Sequence, residues 1–258
     1  MLLTGNHLFA QVIPVGFMKS KVQLPIVKTG LIINLDAANK TSYSGSGTTW
    51  SNLISFNNVP SFTLSSASYA SDYGGIIRFT SSTSSYASSS SGFSNLTAYT
   101  VEVWVKTAGT RGVLAVTTGN YFPCFFSEEV SGGTVNVALM YNLASFGASA
   151  NTYQYGAALG QWKYTVSPDS YLSDVGQWVQ IVQTYTGSVL SLYRNGTLLN
   201  STTIIHTLRA SSSKYNIAKR WDQSDAVYGD YSMVNMYSRA LSADEIATNY
   251  SAFRSRFY

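Results

Sequence analysis

The chain has 258 residues, a formal net charge of +4 and only 11% charged residues, where an average soluble domain has roughly a quarter. Its polar surface must come mainly from Ser, Thr, Asn, Gln and Tyr, a composition typical of extracellular or particle-surface β-proteins rather than cytosolic enzymes. The basic residues form no run and no window holds the ~20 apolar residues of a membrane span, which argues against nucleic acid and membranes as partners.

Residues 1–28 form a segment of their own, interrupted by Pro14 and Pro25. The segment is too apolar for a solvated tail, and it lacks the basic start and clean cleavage site of a signal peptide. We therefore expect an arm that docks on another chain or on its own domain; the alternative is a first strand with a frayed terminus. The apolar residues expected to make the assembly contact are Leu8, Phe9, Val12, Ile13 and Phe17.

From Gly30 onward the sequence predicts β-structure. Gly30–Asp36 reads as a strand, and Thr100–Lys106 alternates with large residues on both faces, as expected for a central strand of a sandwich. Ser81–Gly92 is almost all Ser and Thr around Tyr86, which predicts a serine-rich edge strand with its loop. Cys124, the only cysteine, excludes an intrachain disulfide, and its apolar neighbours predict a buried side chain.

The clearest β-signal is a three-stranded meander from Gly176 to Ile204. A first strand begins at Trp178, a turn follows around Gly187, and Asn195-Gly196 forms the second turn. Asn and Gly tolerate the positive φ that a two-residue hairpin turn requires. Turn residues recur every eight to twelve positions along the chain, which is typical of an antiparallel sandwich or jelly roll.

One helix is predicted near the end of the chain. Ser242 and Glu245 have the spacing of a capping box, in which each side chain bonds to the other's backbone N–H. Ile246, Tyr250 and Phe253 follow at the spacing of a single helix face, so this face is expected to pack on the sandwich.

Four of these segments together resemble the concanavalin A-like lectin/glucanase fold in its laminin-G-like branch, over about Gly30 to Phe257 and in the form found in phage and other viral structural proteins. They are the Gly30–Asn39 opening followed by Tyr43–Trp50, the Thr100–Val105 strand, Trp178 through Tyr193-Arg-Asn-Gly196, and Gly229–Ile246. The resemblance implies a β-sandwich, and it covers lectins, adhesion domains, glycanases and inert shell proteins alike.

The carboxylates argue against a glycanase. Retaining glycanases need two closely spaced carboxylates on one face, but Glu102 stands alone in its strand and Glu128 and Glu129 would point to opposite faces. No catalytic residue is assigned. Asp222, Asp225 and Asp230 are weak candidates for a metal site, and the segment after Phe79 lacks the carboxylates of the calcium-binding relatives, so no cofactor is expected.

Exposed aromatic rings are the candidates for sugar binding, because a sugar stacks its apolar face on a ring and donates hydroxyl hydrogens to a carboxylate. Trp221 beside Asp222 is the first candidate. The second set is Tyr153, Tyr155, Trp162 and Tyr164. The alternative is that these rings pack loops or a contact between subunits.

The sequence thus predicts one jelly-roll-like antiparallel β-sandwich, residues 29–258, with a short C-terminal helix and an N-terminal docking arm, residues 1–28. The leading hypothesis is a virion structural protein, such as a capsid decoration, head-fibre or appendage subunit, assembled in the host cytoplasm. Its arm would bind other virion proteins, its lectin-like domain would face surface glycans, and it would form a homo-oligomer. The alternatives are a free carbohydrate-binding or adhesion module and, third, a glycoside hydrolase.

Overall fold

The fold is described from a computed structural model, which covers residues 25–55, 61–80, 84–93, 95–108, 124–129, 135–143, 153–160, 163–208, 214–220 and 227–258. The strands in these ranges are β1 Leu31–Asp36, β2 Thr49–Trp50, β3 Phe62–Ser65, β4 Ala67–Ala70, β5 Ile76–Phe79, β6 Tyr86–Ser89, β7 Tyr99–Thr107, β8 Cys124–Glu129, β9 Val135–Leu143, β10 Tyr153–Gly160, β11 Lys163–Ser170, β12 Trp178–Tyr185, β13 Val189–Arg194, β14 Thr197–Thr203, β15 Lys214–Ile217 and β16 Gly229–Tyr237. Helix α1 spans Ala243–Phe257, and short 3₁₀ turns occupy Asp72–Gly74 and Tyr171–Asp174.

The strands form two antiparallel sheets that pack face to face. In the first sheet the order is β14-β13-β12-β7-β16-β5-β4, and β1 also pairs with β16. In the second sheet the order is β11-β10-β9-β8-β15-β6-β3-β2. This arrangement confirms the predicted jelly-roll-like sandwich. Within the described ranges, no helix is both long and apolar enough to cross a membrane.

The predicted meander is present as β12, β13 and β14, and it forms one side of the first sheet. Asn195 and Gly196 make its second turn with φ values of 50° and 79°, as their sequence predicts. Strand β7 lies between β12 and β16 and is therefore central. Its valines, such as Val103, enter the core between the sheets, whereas Glu102 and Trp104 face the opposite side.

Helix α1 covers this opposite side of the first sheet and creates a second, smaller core there. Trp104, Met233 and Tyr237 from the sheet pack against Ile246 and Phe253 from the helix. The predicted capping box is present: Glu245 N donates to Ser242 Oγ (3.2 Å), and Ser242 N donates to Glu245 Oε2 (2.9 Å). The helix therefore lies on the sheet, and its first turn is fixed in place by its own cap.

Two further predictions can be compared with the fold. Cys124 is fully buried, as expected. The serine-rich stretch does not form an edge strand, because β6 lies inside the second sheet between β3 and β15. The prediction was wrong because Ser89 is small and satisfied within the core: its Oγ accepts from Tyr215 N (2.8 Å) and donates to Ser91 O (2.7 Å). A serine with hydrogen-bond partners is tolerated in a buried strand.

Of the predicted arm, only residues 25–28 are described, and they pack against the second core. Ile26 is 8% exposed, and Val27 N donates to Asn249 Oδ1 on the helix (2.9 Å). Tyr237 Oη donates to Val27 O (3.1 Å). Hydrogen bonds and burial thus join this segment to α1 and β16. The apolar residues assigned to assembly (Leu8, Phe9, Val12, Ile13 and Phe17) lie outside the described residues.

Candidate functional site

The predicted sugar-binding residues fall on three parts of the fold. Trp221 and Asp222 lie outside the described residues; on either side of them, Val227 N donates to Ala218 O (3.0 Å). Trp162 also lies outside them, in the connection between β10 and β11. Tyr153 and Tyr155 belong to β10. Tyr164, on β11, is the one member of this set whose side chain is described.

Tyr164 lies at one lateral edge of the sandwich, where the outermost strands of the two sheets come together. Strand β11 ends the second sheet and β14 ends the first. Two side chains join these strands: Asn200 Nδ2 donates to Val166 O (2.9 Å), and Lys163 Nζ donates to Ile205 O (2.8 Å). These bonds hold the two sheet edges close together without a continuous ladder between them.

An open groove of about 510 Å³ lies at this junction. It is lined by Lys163, Tyr164, Thr202, Thr203, Ile204 and Ile205. Tyr164 is half-buried, whereas Ile205 is 81% exposed. The groove therefore offers an aromatic ring, an exposed aliphatic side chain, two hydroxyls and an ammonium group to a ligand. Such a mixed surface is typical of sites that bind a molecule with both apolar and hydroxyl-bearing faces.

The sequence pattern indicated Tyr164 but not the residues opposite it. Thr202, Thr203 and Ile205 come from the end of β14 and the residues after it, some 40 positions further along the chain. The sequence signal for this surface was the pair Ile204-Ile205 directly after a Thr-rich strand. In extended chain, neighbouring side chains point to opposite faces, so one of the two isoleucines must face away from the core. Ile204 is 6% exposed and Ile205 is on the surface, in accordance with that alternation.

Of the three Asp residues considered for a metal site, Asp222 and Asp225 lie outside the described residues. Asp230 is engaged in a two-point ion pair, in which Arg78 Nε and Nη2 donate to its oxygens at 2.6 and 3.0 Å. The part of the chain that is described contains no group of three His, Cys, Asp or Glu side chains able to hold a metal ion. A cation at Asp230 would have to displace the guanidinium.

Comparison with known proteins identifies the family. Residues 80–247, well over half of the chain, match the sequence profile of the concanavalin A-like lectin/glucanases superfamily. The chain belongs to this superfamily. Among curated proteins, mouse pappalysin-1 is 27% identical over 98 residues, which are 38% of this chain and 6% of that protein. The chain thus spans only a small part of this relative's length.

Solved structures share the lectin-like fold at low sequence identity. Domain 4 of a GH43 extracellular arabinanase from Geobacillus stearothermophilus, solved in complex with arabinotriose, superimposes with a TM-score of 0.59 at 15% identity, covering 86% of this chain and 98% of that one. The binding domain of Paraclostridial mosquitocidal protein 1 gives 0.62 at 14%, covering 87% and 52%. Trypanosoma rangeli sialidase gives 0.61 at 13%, covering 89% and 35%.

This superfamily includes both lectins and glucanases, and a glucanase needs two carboxyl groups that a substrate can reach. Glu102 is completely buried beneath α1. Its Oε1 accepts from Gln180 Nε2 (2.7 Å), and its Oε2 accepts from Asn235 Nδ2 (3.3 Å) and Asn249 Nδ2 (2.8 Å). Burial raises the pKa of Glu102, and the three amide hydrogen bonds oppose this shift. A carboxylate enclosed in this way cannot reach a substrate.

Glu128, on β8, is also enclosed. It is 1% exposed, and its Oε2 accepts from Asn136 N (3.1 Å). Burial, and then the charge of Glu128, raises the pKa of Tyr215 on the neighbouring strand. Glu128 therefore faces the core between the sheets, on the other side of the first sheet from Glu102.

Four further carboxylates pair with arginines. The pairs are Asp36–Arg256, Asp174–Arg194, Asp230–Arg78 and Glu245–Arg239. The hydrogen bonds from Arg239 lower the pKa of Glu245 to about 2. These pairs tie loops and α1 to the sheets of the lectin-like domain, so the geometry in the described ranges assigns these acids to the scaffold.

Proposed function

We propose that this lectin-like domain is a non-catalytic carbohydrate-recognition module, and that a glycan binds in the groove between β11 and β14. The proposal rests on the position of Tyr164 beside Thr202, Thr203 and Lys163 at the lateral edge of the sandwich. An aromatic ring can stack on the apolar face of a sugar, while hydroxyl and ammonium groups exchange hydrogen bonds with its hydroxyls. The groove volume of about 510 Å³ falls within the range of small-molecule sites.

The state of the acids supports the non-catalytic part of the proposal. Glycoside hydrolysis needs two accessible carboxyl groups a fixed distance apart on either side of the bond. Glu102 and Glu128 are buried on opposite sides of the first sheet, and four others are held by arginines. The arabinanase domain that shares this fold along 98% of its length was solved with arabinotriose, so oligosaccharides are reasonable first ligands to test.

Screening the full chain on a glycan array, followed by calorimetry with any hit, tests the proposal. Tyr164→Ala should weaken binding about fivefold to thirtyfold, because the loss of a stacked ring is worth about 1–2 kcal/mol. Tyr164→Phe keeps the ring and should lose less. The matched control is Tyr69→Ala, which removes a half-buried tyrosine from β4, at another edge of the first sheet.

Two results would contradict the proposal. Binding that is unchanged in Tyr164→Ala would place the site elsewhere, and Trp221 would be the next residue to mutate. Release of reducing ends from a bound polysaccharide by the purified protein would show that the domain is an enzyme. In that case the acids outside the described residues would have to be examined.

We further propose that the domain is displayed on a virus particle, as a capsid decoration, head-fibre or appendage subunit attached through its N-terminal segment. The support is compositional: the low charge, the lone cysteine and the apolar residues between positions 8 and 17. Deleting residues 1–24 keeps the packed residues 25–28 and should leave the domain folded but absent from purified particles. If the truncated protein still co-purifies with particles, the segment is not the attachment. A protein never found with particles would be a free module.

A further inference from the structure

A second cavity lies on the outer face of the first sheet, beside α1, and shares no lining residue with the groove. Its volume is about 370 Å³. Asn34 and Asp36 from β1, Asn39 from the following turn and the exposed Lys28 provide its polar lining. Pro25, Ile26, Leu53 and Phe253 provide apolar walls. Asn34 and Asp36 are 7% and 9% exposed, so these polar groups are built into the wall rather than projecting from the surface.

The hydrogen-bond network behind the cavity fixes the orientation of Asn34. The ionised carboxylate of Glu102 only accepts hydrogen bonds, and the amide nitrogens of Gln180 and Asn249 donate to it, so Asn235 likewise turns its Nδ2 toward it. Asn235 Oδ1 is then left to accept, and Asn34 donates its Nδ2 to it (2.7 Å). Asn34 Oδ1 is consequently directed away from the network. It accepts no bond from any described residue, and as a cavity-lining residue Asn34 presents this oxygen to the cavity.

The other polar groups offer complementary chemistry. Asp36 Oδ1 accepts from Arg256 Nη1 (2.8 Å) and from Ala38 N (3.0 Å). Asp36 Oδ2 accepts from Arg256 Nη2 (2.9 Å) and retains capacity to accept from a hydroxyl. Asn39 uses its Oδ1 to accept from Thr41 N (2.9 Å), which leaves its Nδ2 hydrogens available. The cavity thus combines acceptors with a donor. Because Arg256 already neutralises Asp36 and the exposed Lys28 adds a positive charge, the site disfavours a cation.

From this arrangement we infer a second ligand site, which takes a small polyhydroxyl compound of about monosaccharide size. Its hydroxyls donate to Asn34 Oδ1 and Asp36 Oδ2 and accept from Asn39 Nδ2, while its C–H surface contacts Leu53 and Phe253. The volume accommodates one pyranose ring with its first-shell water. The inference does not rest on the groove at Tyr164, which uses different residues of different strands.

The test uses the full chain and five probes applied one at a time: glycerol, D-glucose, D-galactose, D-mannose and L-arabinose. Nitrogen-15 NMR follows the side-chain amide signals of Asn34 and Asn39 as each probe is raised to tens of millimolar. At least one probe should shift both signals along a saturable curve. Leu53→Trp should fill the cavity and weaken that binding about tenfold or more, whereas Leu198→Trp, at an exposed leucine of β14, should leave it unchanged.

Four further results decide the inference. No saturable shift with any of the five probes would overturn it, and so would a shift that survives Leu53→Trp in a folded protein. If Leu53→Trp does not fold, Asn39→Ala decides, since it removes one donor and should weaken binding about threefold or more. Tyr164→Ala separates the two sites: a variant that loses glycan-array binding but keeps the Asn34 shift supports the cavity independently of the groove.

Discussion

Replacing Glu102 with alanine tests whether the buried carboxylate holds α1 on the sheet. The change leaves three amide donors, on Gln180, Asn235 and Asn249, without their acceptor. Each unsatisfied buried donor costs about 1–3 kcal/mol, but removal of a buried charge with a raised pKa returns part of this. We therefore expect a loss of about 3–5 kcal/mol, in line with the removal of one partner from other buried charged networks. In a chain of this size the melting temperature should fall by about 10 °C.

Glu102→Gln tests the same contact without creating a cavity. Glutamine places an NH₂ group against donors on at least one side, so the cost should be about 1–3 kcal/mol, less than for alanine. Urea unfolding followed by tryptophan fluorescence gives the free energies. Hydrogen exchange at Val27 N gives a local reading, because this group donates to Asn249, which itself depends on Glu102. Exchange there should be faster in both variants.

The control is Asp72→Asn, which neutralises an exposed acid in a surface turn and should change stability by less than about 0.5 kcal/mol. If Glu102→Ala costs no more than this control, the network does not hold the helix. If Glu102→Gln matches the wild type, the acceptor-only argument that orients Asn235 and Asn34 is wrong, and the inferred site loses its main support.

The pH dependence of the Glu102 contribution has a definite sign. Since the pKa of Glu102 is raised from 4.5, the folded protein binds a proton that the unfolded chain has already released in the window above pH 4.5. The wild type should therefore lose stability relative to Glu102→Gln as the pH rises through this window to the folded pKa. A difference that is flat over the window would contradict the pKa shift.

Three other changes have expected outcomes. The pKa of Glu245, lowered from 4.5 to about 2, implies stability that is present above pH 4.5 and lost as the pH falls toward 2; Glu245→Gln should flatten that acid limb in melting curves, and an unchanged limb would assign it to other acids. Ser242→Ala should cost about 1 kcal/mol by removing the helix cap, while Ser251→Ala in the exposed middle of α1 should not destabilise; equal effects would show that the cap is unimportant. Phe257→Ala should cost about 2–3 kcal/mol and weaken the near-ultraviolet circular dichroism of the tryptophans, because its ring stacks on Trp178 at 4.3 Å; an unchanged spectrum would mean that this contact is not populated.

Local chemistry made much of the fold predictable. The meander and the capping box depend on residues close together in the sequence: Asn195-Gly196 predicts a turn, and Ser242 with Glu245 predicts the start of a helix. Alternation in β7 also predicted its central place correctly. Each of these signals depends on residues within about one turn or strand of each other.

The parts that the sequence did not predict depend on contacts between distant residues. The partners of Glu102 lie 78, 133 and 147 positions further along the chain, so it looked isolated in its strand. Strand β6 looked like an edge because its serines suggested solvent, yet β15 pairs with it from more than a hundred residues away. Only one side of the groove was predicted. Tyr164 is recognisable as an aromatic candidate in the sequence, whereas Thr202 and Ile205 become candidates only because the fold places them opposite it.

The one-way bonding of the Glu102 carboxylate also constrains how this protein can evolve. The ionised Glu102 carboxylate determines which way the Asn235 amide turns, and Asn235 in turn determines the orientation of the Asn34 amide. The polar group that Asn34 presents to the cavity therefore depends on Glu102, which does not line the cavity. Substitutions at Glu102, Asn235 and Asn34 should therefore be strongly epistatic: each should be destabilising alone and tolerated only in compensating combinations. Among divergent relatives, we expect the identities at these positions to change together or not at all.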